Sequence, residues 1–235
     1  MMCLQRLEDH SSRLESEFTA LLMRAHPLKL AFVIAHLCFD SRMTQAAPQR
    51  LVVGVTGASG VQYAIDLLET LQTLPMETHL IVSEGAKRVL AEELKMHPRD
   101  LAAMAHEVHD DRDVGAGVAS GSFRTLGMIV VPCSASTLAK IAYGMADTLI
   151  TRAAHVHLKE RRKLVLVPRE TPYSRPMLEA MLKVYDAGAV VLAANPGFYG
   201  KPKDVSDLLG FITARALDQL GIENTRAPRW KDADE

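Results

Sequence analysis

From residue 51 onward the sequence alternates short, apolar, β-rich runs with stretches of helical period, and that alternation leaves few folds open. It predicts strands near 51–55, 78–82, 128–132, 164–167 and 189–192, and helices near 60–73, 84–95, 136–143, 148–160, 175–187 and 203–220. The implied fold is α/β: one domain with a doubly wound parallel sheet, helices on both faces, and ligands beyond the carboxyl ends of the strands. The polar stretch near 105–125, with Gly115, Gly117 and Gly121, reads as a long loop, and a loop of that length in a compact domain is often functional.

Residues 1–49 look unlike the rest. Leu7, Leu14, Phe18 and Leu21 fall on one helical face, and the apolar run "LKLAFVIAHLCF" is too short to span a bilayer. Glu8, Asp9, Glu15 and Glu17 precede that run, which fits a signal peptide poorly. Either a helix packing on a neighbouring subunit or a dispensable extension fits, and the extension is preferred. The expected domain covers 50–231, with a short tail at 232–235.

Lys and Arg number 27 against 28 Asp and Glu, a formal net charge of −1, so nothing argues for binding nucleic acid or an anionic membrane. Cys3, Cys38 and Cys133 are too scattered for a disulfide framework or a zinc site, and a reducing cytoplasm is the expected compartment. His106 with His109, and His155 with His157, lack a further ligand at suitable spacing and read as solvated or hydrogen-bonded side chains; no metal is expected.

The first strand ends at "TGASG". Gly57 and Gly60 permit close backbone approach, and Ser59 is placed to cap a helix whose free N–H groups would hold a phosphate. The stretch lacks the three-glycine spacing of the dinucleotide fingerprint and the lysine of a P-loop, so an ordinary tight turn explains it equally well. The second strand ends at Ser83, and the third runs into "PCSAST", where Ser134, Ser136 and Thr137 stand at a helix start. Capping accounts for each alone. Three such ends at one sheet edge would line a hydroxyl-rich crevice for a phosphate and a polar ring system, with Cys133 a packed thiol.

In "TRAAHVHLKERRKLVLVPRETP", Arg152 and Lys159 are seven residues apart and share a helical face, which suits a second phosphate. Arg169 and Glu170 follow a core strand, where this architecture does its chemistry; the bland alternative is a solvated face and a surface ion pair. Tyr199 in "NPGFYGKP" offers a phenol, Arg215 adds charge, and Trp230 reads as a tail anchor or subunit contact.

Taken together, "GVTGASGVQYA", "SGSF…GMIVVPCS…TLA", "RAA…LKERRKLVLVPRETP" and "NPGFY", with Arg215 and Trp230, resemble the flavin prenyltransferases of the UbiX/Pad family over about residues 50–231. The "SGSFRTLGM" stretch is most similar to the branch associated with phenolic-acid decarboxylation. The resemblance implies a flavodoxin-like fold, a homododecamer, and bound reduced FMN. It also implies metal-independent transfer of a dimethylallyl group from dimethylallyl phosphate to N5 and C6 of that flavin. The prenylated FMN would then serve a UbiD-type decarboxylase. FMN binding would fall to Gly57, Ala58, Ser59, Ser83, Ser134, Thr137 and Arg169, and donor binding to Ser120, Arg152, Lys159, Glu170, Tyr199 and Arg215, partly from neighbouring subunits. Glu170, Glu93, Ser59 and Tyr199 would form the catalytic set.

The chemistry of these side chains agrees with that assignment. A phosphate dianion leaves poorly, so cleavage of its C–O bond needs positive charge from Arg152, Lys159 and Arg215 and hydrogen bonds from Tyr199 and Ser120. Glu170, if partly buried, would have a raised pKa and protonate the leaving phosphate, and Glu93 would help remove the C6 proton. Departures from the family pattern are residues 1–49 and "SEGAK", where Glu84 and Gly85 stand in place of the "SKAA" of many relatives. Two other readings share the crevice: a flavin-dependent decarboxylase subunit, which needs no second phosphate site, and a flavin carrier, which needs no acid at Glu170.

Overall fold

The computed structural model describes residues 49–230. The expected extension and tail therefore lie outside the described residues, except that Gln49 opens β1. The strands are β1 (Gln49–Val55), β2 (Met76–Val82), β3 (Glu107–Asp110), β4 (Gly127–Cys133), β5 (Lys163–Pro168) and β6 (Val190–Val191). The helices are α1 (Gln62–Gln72), α2 (Glu84–Leu94), α3 (Pro98–Ala102), α4 (Ala135–Ala142), α5 (Leu149–Lys159), α6 (Arg175–Asp186) and α7 (Val205–Gln219).

The strands form one sheet in the order β3-β2-β1-β4-β5-β6, with every pairing parallel. Without the edge strand β3 the order reads 2-1-3-4-5, the flavodoxin-like arrangement, with its direction reversing between β1 and β4. Alternate residues of the central strands feed two cores. Leu51, Val53 and Val55 of β1 pack with Leu67, Leu68 and Leu71 of α1, Leu90 of α2 and Leu217 of α7. Val52, with Met128 and Val130 of β4, meets Leu138 of α4, Ile150 and Ala153 of α5, and Ala180 of α6 on the other face. A strand buried on both sides must be apolar at every position, which is why "LVVGV" shows no polar alternate. Gly54 is small for a packing reason, since a Cβ there would meet Ile150 and Met128 at 3.3 Å.

The strands and long helices lie where the periodicity puts them. The 105–125 stretch differs: it contains β3 and a 3-10 turn at Gly117–Ala119. β3 is polar because, among the described residues, it pairs on one side only, with β2; an edge strand does not need the continuous apolar run that marks a central one.

At the point of reversal, Thr56 closes the sheet's upper edge. Its buried hydroxyl donates to the Pro132 carbonyl at 2.8 Å and accepts the Ser134 N–H at 2.8 Å, binding the end of β1 to the start of α4. Thr56→Val keeps the shape and leaves the Ser134 N–H unpaired. We expect a loss of about 1–3 kcal/mol in a urea unfolding titration.

Candidate active site

The ends of β1, β2 and β4 surround a cavity of about 600 Å³, lined by Gly57, Ser83, Gly85, Ser134, Ser136 and Thr137 among others. Its rim is drawn tight by backbone contact: a Cβ on Gly57 would lie 2.8 Å from Cα of Gly85. Gly85, part of the unusual "SEGAK", is thus the partner that this turn requires. Glu84 beside it is exposed and pairs with Lys87 at 2.6 Å and Arg112 at 3.5 Å, so no basic contact follows Ser83 directly. Ser83 caps α2 by accepting the Ala86 N–H, and Ser134 caps α4 by accepting the Thr137 N–H. Two helix N-termini with hydroxyl caps therefore face one cleft, a setting for an anion and polar ring atoms.

Ser59 corrects an expectation. It does not cap α1, whose N-cap is Val61 without a side-chain bond. The chain turns instead through Gly60, at φ +97°, where a left-handed backbone favours glycine. The freed loop is held by Glu93 of α2, whose Oε2 accepts the Gly60 N–H at 3.0 Å. Burial pushes the Glu93 carboxyl up, but hydrogen bonds from the Ser59 hydroxyl and the Gly60 and Val61 N–H groups, with the Arg169 charge, outweigh it and hold it below its ordinary value. From the other side Arg169 donates Nε to the Ser59 carbonyl at 2.9 Å. Ala58, between these ties, is buried.

Glu170 is a second correction. It is exposed in the single chain, and its Oε1 accepts the neighbouring Thr171 N–H at 3.1 Å, so the partly buried acid expected there is absent from one protomer.

Arg152 and Lys159 lie exposed on α5, and Lys159 pairs with Glu160. Ser120 sits on the loop that passes them: a Cβ on adjacent Gly121 would come within 2.9 Å of Lys159 Nζ. Tyr199 and Arg215 line another cavity of about 160 Å³ with Phe211, Asp218, Arg229 and Trp230. The two cavities share no residue, so one chain does not bring the expected flavin set and the whole donor set together.

Asp111 escaped sequence reasoning, being one acid in a polar loop. It lines the strand-end cavity and starts α5: its carbonyl accepts the Leu149 N–H at 2.7 Å and its Oδ1 accepts the Ile150 N–H at 2.9 Å. Burial raises its carboxyl pKa against those bonds. Cys133 is a packed thiol pushed up to about 12 by burial.

The histidines are hydrogen-bonded for the most part. The strand pairing also brings together His79, His109 and Glu107, a grouping that sequence spacing hides. His79 Nδ1 lies 3.0 Å from His109 Nε2, with ring centroids 5.3 Å apart and planes 15° apart. At that distance the two imidazoles are joined by an N–H···N bond, and Glu107 Oε2 lies 3.3 Å from the same His79 Nδ1. His79 Nε2 meets Glu77 at 3.0 Å, completing a hydrogen-bonded chain.

Comparison with known proteins matches this geometry. A family profile described as Flavoprotein covers residues 40–217. A flavin prenyltransferase UbiX of Deinococcus radiodurans is 59% identical over 187 residues, spanning 80% of this chain and 96% of the relative. The chain belongs to the UbiX family of flavin prenyltransferases. The mitochondrial flavin prenyltransferase PAD1 of Saccharomyces cerevisiae, another UbiX-family relative, is 47% identical over 78% of this chain and 76% of its own. Among solved structures, AnUbiX (PadA1) in complex with FMN and dimethylallyl pyrophosphate aligns with TM-score 0.77 at 45% identity, covering 79% of this chain and 98% of that one. A dodecameric FMN-dependent UbiX-like decarboxylase from Escherichia coli O157:H7 aligns with TM-score 0.76 at 47% identity, covering 78% and 100%. The cypemycin decarboxylase CypD, at 20% identity and TM-score 0.54, covering 73% and 93%, shares the fold alone.

Gly57→Ala forces the first two loops of this UbiX-family cavity apart. Overpacking of this kind costs about 1–3 kcal/mol, and we expect it as a weaker Kd for FMN by flavin fluorescence, with an unchanged circular dichroism spectrum. His157 gives a pH prediction for α5. Its Nδ1–H donates to the Ala153 carbonyl at 2.7 Å and its Nε2 accepts from Thr125 at 2.8 Å, and burial drives its pKa from 6.5 down to about 4. The unfolded chain takes up this proton below about pH 6.5, the folded chain only near 4, so stability falls as pH drops across that window, by roughly 3 kcal/mol in all. Urea titrations at pH 7 and 4.5 should show a smaller loss in His157→Gln than in wild type.

Proposed function

We propose that the chain transfers a dimethylallyl group from dimethylallyl phosphate to N5 and C6 of reduced FMN. The observation that carries this reading is the glycine-tight, hydroxyl-lined cavity where the sheet order reverses, in a chain of the UbiX family. Its volume suits a flavin-sized ligand. Gly57, Ala58, Ser59, Ser83, Ser134, Thr137 and Arg169 would hold the FMN, a substrate here, and no metal is required.

The donor's C1–O bond breaks with its electron pair going to the phosphate and C1 bonds to N5, which gives up its proton; the alkene then takes up a proton at C2, its C3 bonds to C6, and C6 releases its proton, so that the flavin gains C5H8. Arg152, Lys159 and Arg215 neutralise the departing phosphate, and Ser120 and Tyr199 donate hydrogen bonds to it. Glu170 delivers a proton to that phosphate once a neighbouring subunit and the ligands exclude water from it. Glu93, anionic at neutral pH, accepts the C6 proton while keeping the Ser59–Val61 loop in place.

Completion of the site by other copies fits the separation of the two cavities. It also fits the exposed apolar side chains of the α4–α6 region, Tyr143, Met145, Leu178, Leu182 and Tyr185. We place the chain in a homo-oligomer, a dodecamer as in the Escherichia coli relative, with a UbiD-type decarboxylase receiving the product. No helix among the described residues is long and apolar enough to cross a membrane, and the buried free thiol of Cys133 suits a reducing cytoplasm.

Anaerobic incubation with reduced FMN and dimethylallyl phosphate should increase the flavin mass by one C5H8 unit; an unaltered flavin with folded protein would point to a carrier. Glu170→Gln should keep FMN bound and lower turnover by about 10²–10⁴-fold.

A further inference from the structure

The small cavity between α7 and the C-terminal segment contains two charged residues, Asp218 and Arg229, to which the reaction above gives no role. One carboxylate, Asp218, lies between two guanidinium groups. Its Oδ2 accepts Nη1 of Arg215, one turn earlier on α7, at 2.9 Å, and Nη1 of Arg229 at 3.0 Å. Its Oδ1 accepts Nη2 of Arg229 at 2.8 Å and the Asn224 amide at 3.3 Å. Arg229 thus grips the carboxylate with both arms of its fork, whereas Arg215 uses one nitrogen and keeps its other donors for a ligand.

The same contacts seat the tail. Arg226 is tied to the buried Asp66 of α1 and to Ser206. Three residues later Arg229 is locked to Asp218, and the next residue, Trp230, meets Tyr199 edge-on with centroids 5.3 Å apart. Phe211 backs Tyr199 from the other side at 5.7 Å. Arg215, Tyr199 and Trp230 come from α7, a loop and the tail, and Asp218 is where the tail's cation and the helix's cation meet.

We propose that Asp218 is a positioning residue: through Arg215 and Arg229 it builds the subsite that receives the phosphoryl group of the prenyl donor. This rests on the reading of Tyr199 and Arg215 as donor-binding residues. Charge alone predicts the opposite of positioning. Asp218→Asn removes a negative charge, which by itself should favour a phosphate, whereas loss of the fixed geometry should weaken its binding.

The test uses the full-length protein with bound FMN. Asp218→Asn should raise the KM for dimethylallyl phosphate on the order of tenfold and lower kcat by less than Arg215→Ala does. Trp230 is the only tryptophan in the sequence, so its emission should shift to longer wavelength as the tail loosens. Asp218→Glu should recover part of the KM effect, and Arg229→Lys, which keeps the charge and loses the fork, should repeat the rise without altering the carboxylate. A KM unchanged or lowered in Asp218→Asn, while Arg215→Ala raises it, would overturn the positioning role alone. An unchanged KM in Arg215→Ala would remove the donor subsite and this inference with it.

Discussion

The hydroxyl of Thr56 is the contact on which the binding edge of the sheet depends. Parallel strands diverge where their order reverses, and the backbone groups freed there must find partners. Thr56 supplies both functions with one oxygen, giving its proton to β4 and taking one from the first residue after it. The amino end of α4 is thereby fixed to the end of β1. Every group later assigned to flavin binding is placed relative to that junction: the Gly57–Gly85 contact on one flank, and the Ser134 cap on the other.

Around this junction the ties are short and numerous. Glu93 and Arg169 hold the Ser59–Gly60 turn from opposite sides, one through a carboxylate and one through a guanidinium. A turn held in this way costs little to organise when a ligand arrives. The outlying cavity is built differently. Its walls come from α7 and from a tail secured by two Asp–Arg contacts, and its aromatic rings keep large exposed areas, 42% for Tyr199 and 65% for Trp230. Its apolar surface is finished only when something else covers it.

The fold was legible because its signals are local. A β-branched apolar run bounded by a glycine turn, such as 51–55, reads as a central strand, and Ser83 and Ser134, each after a strand where helical period begins, read as caps. β3 was missed because a strand with one neighbour needs no apolar code, and Glu107 to Asp110 carry none. The site was legible only as parts. Ser59 looks like a helix cap, and only the position of Glu93, on another helix, shows why its hydroxyl turns away. Asp111 and Asp218 carry no signal in the sequence, since the partners that give them meaning, the α5 start at Leu149 and Ile150 for one and Arg229 for the other, are set by tertiary packing. His79 and His109 are thirty residues apart and meet only through the β2–β3 register.

β3 has a bearing on how copies of the chain associate. It is four residues long, with the acids Glu107 and Asp110 exposed along a backbone paired on one side only. An identical strand laid against it would set carboxylates beside carboxylates, and the repulsion would outweigh the few hydrogen bonds so short a strand can form. Among the described residues, this edge therefore disfavours lengthening of the sheet by another copy.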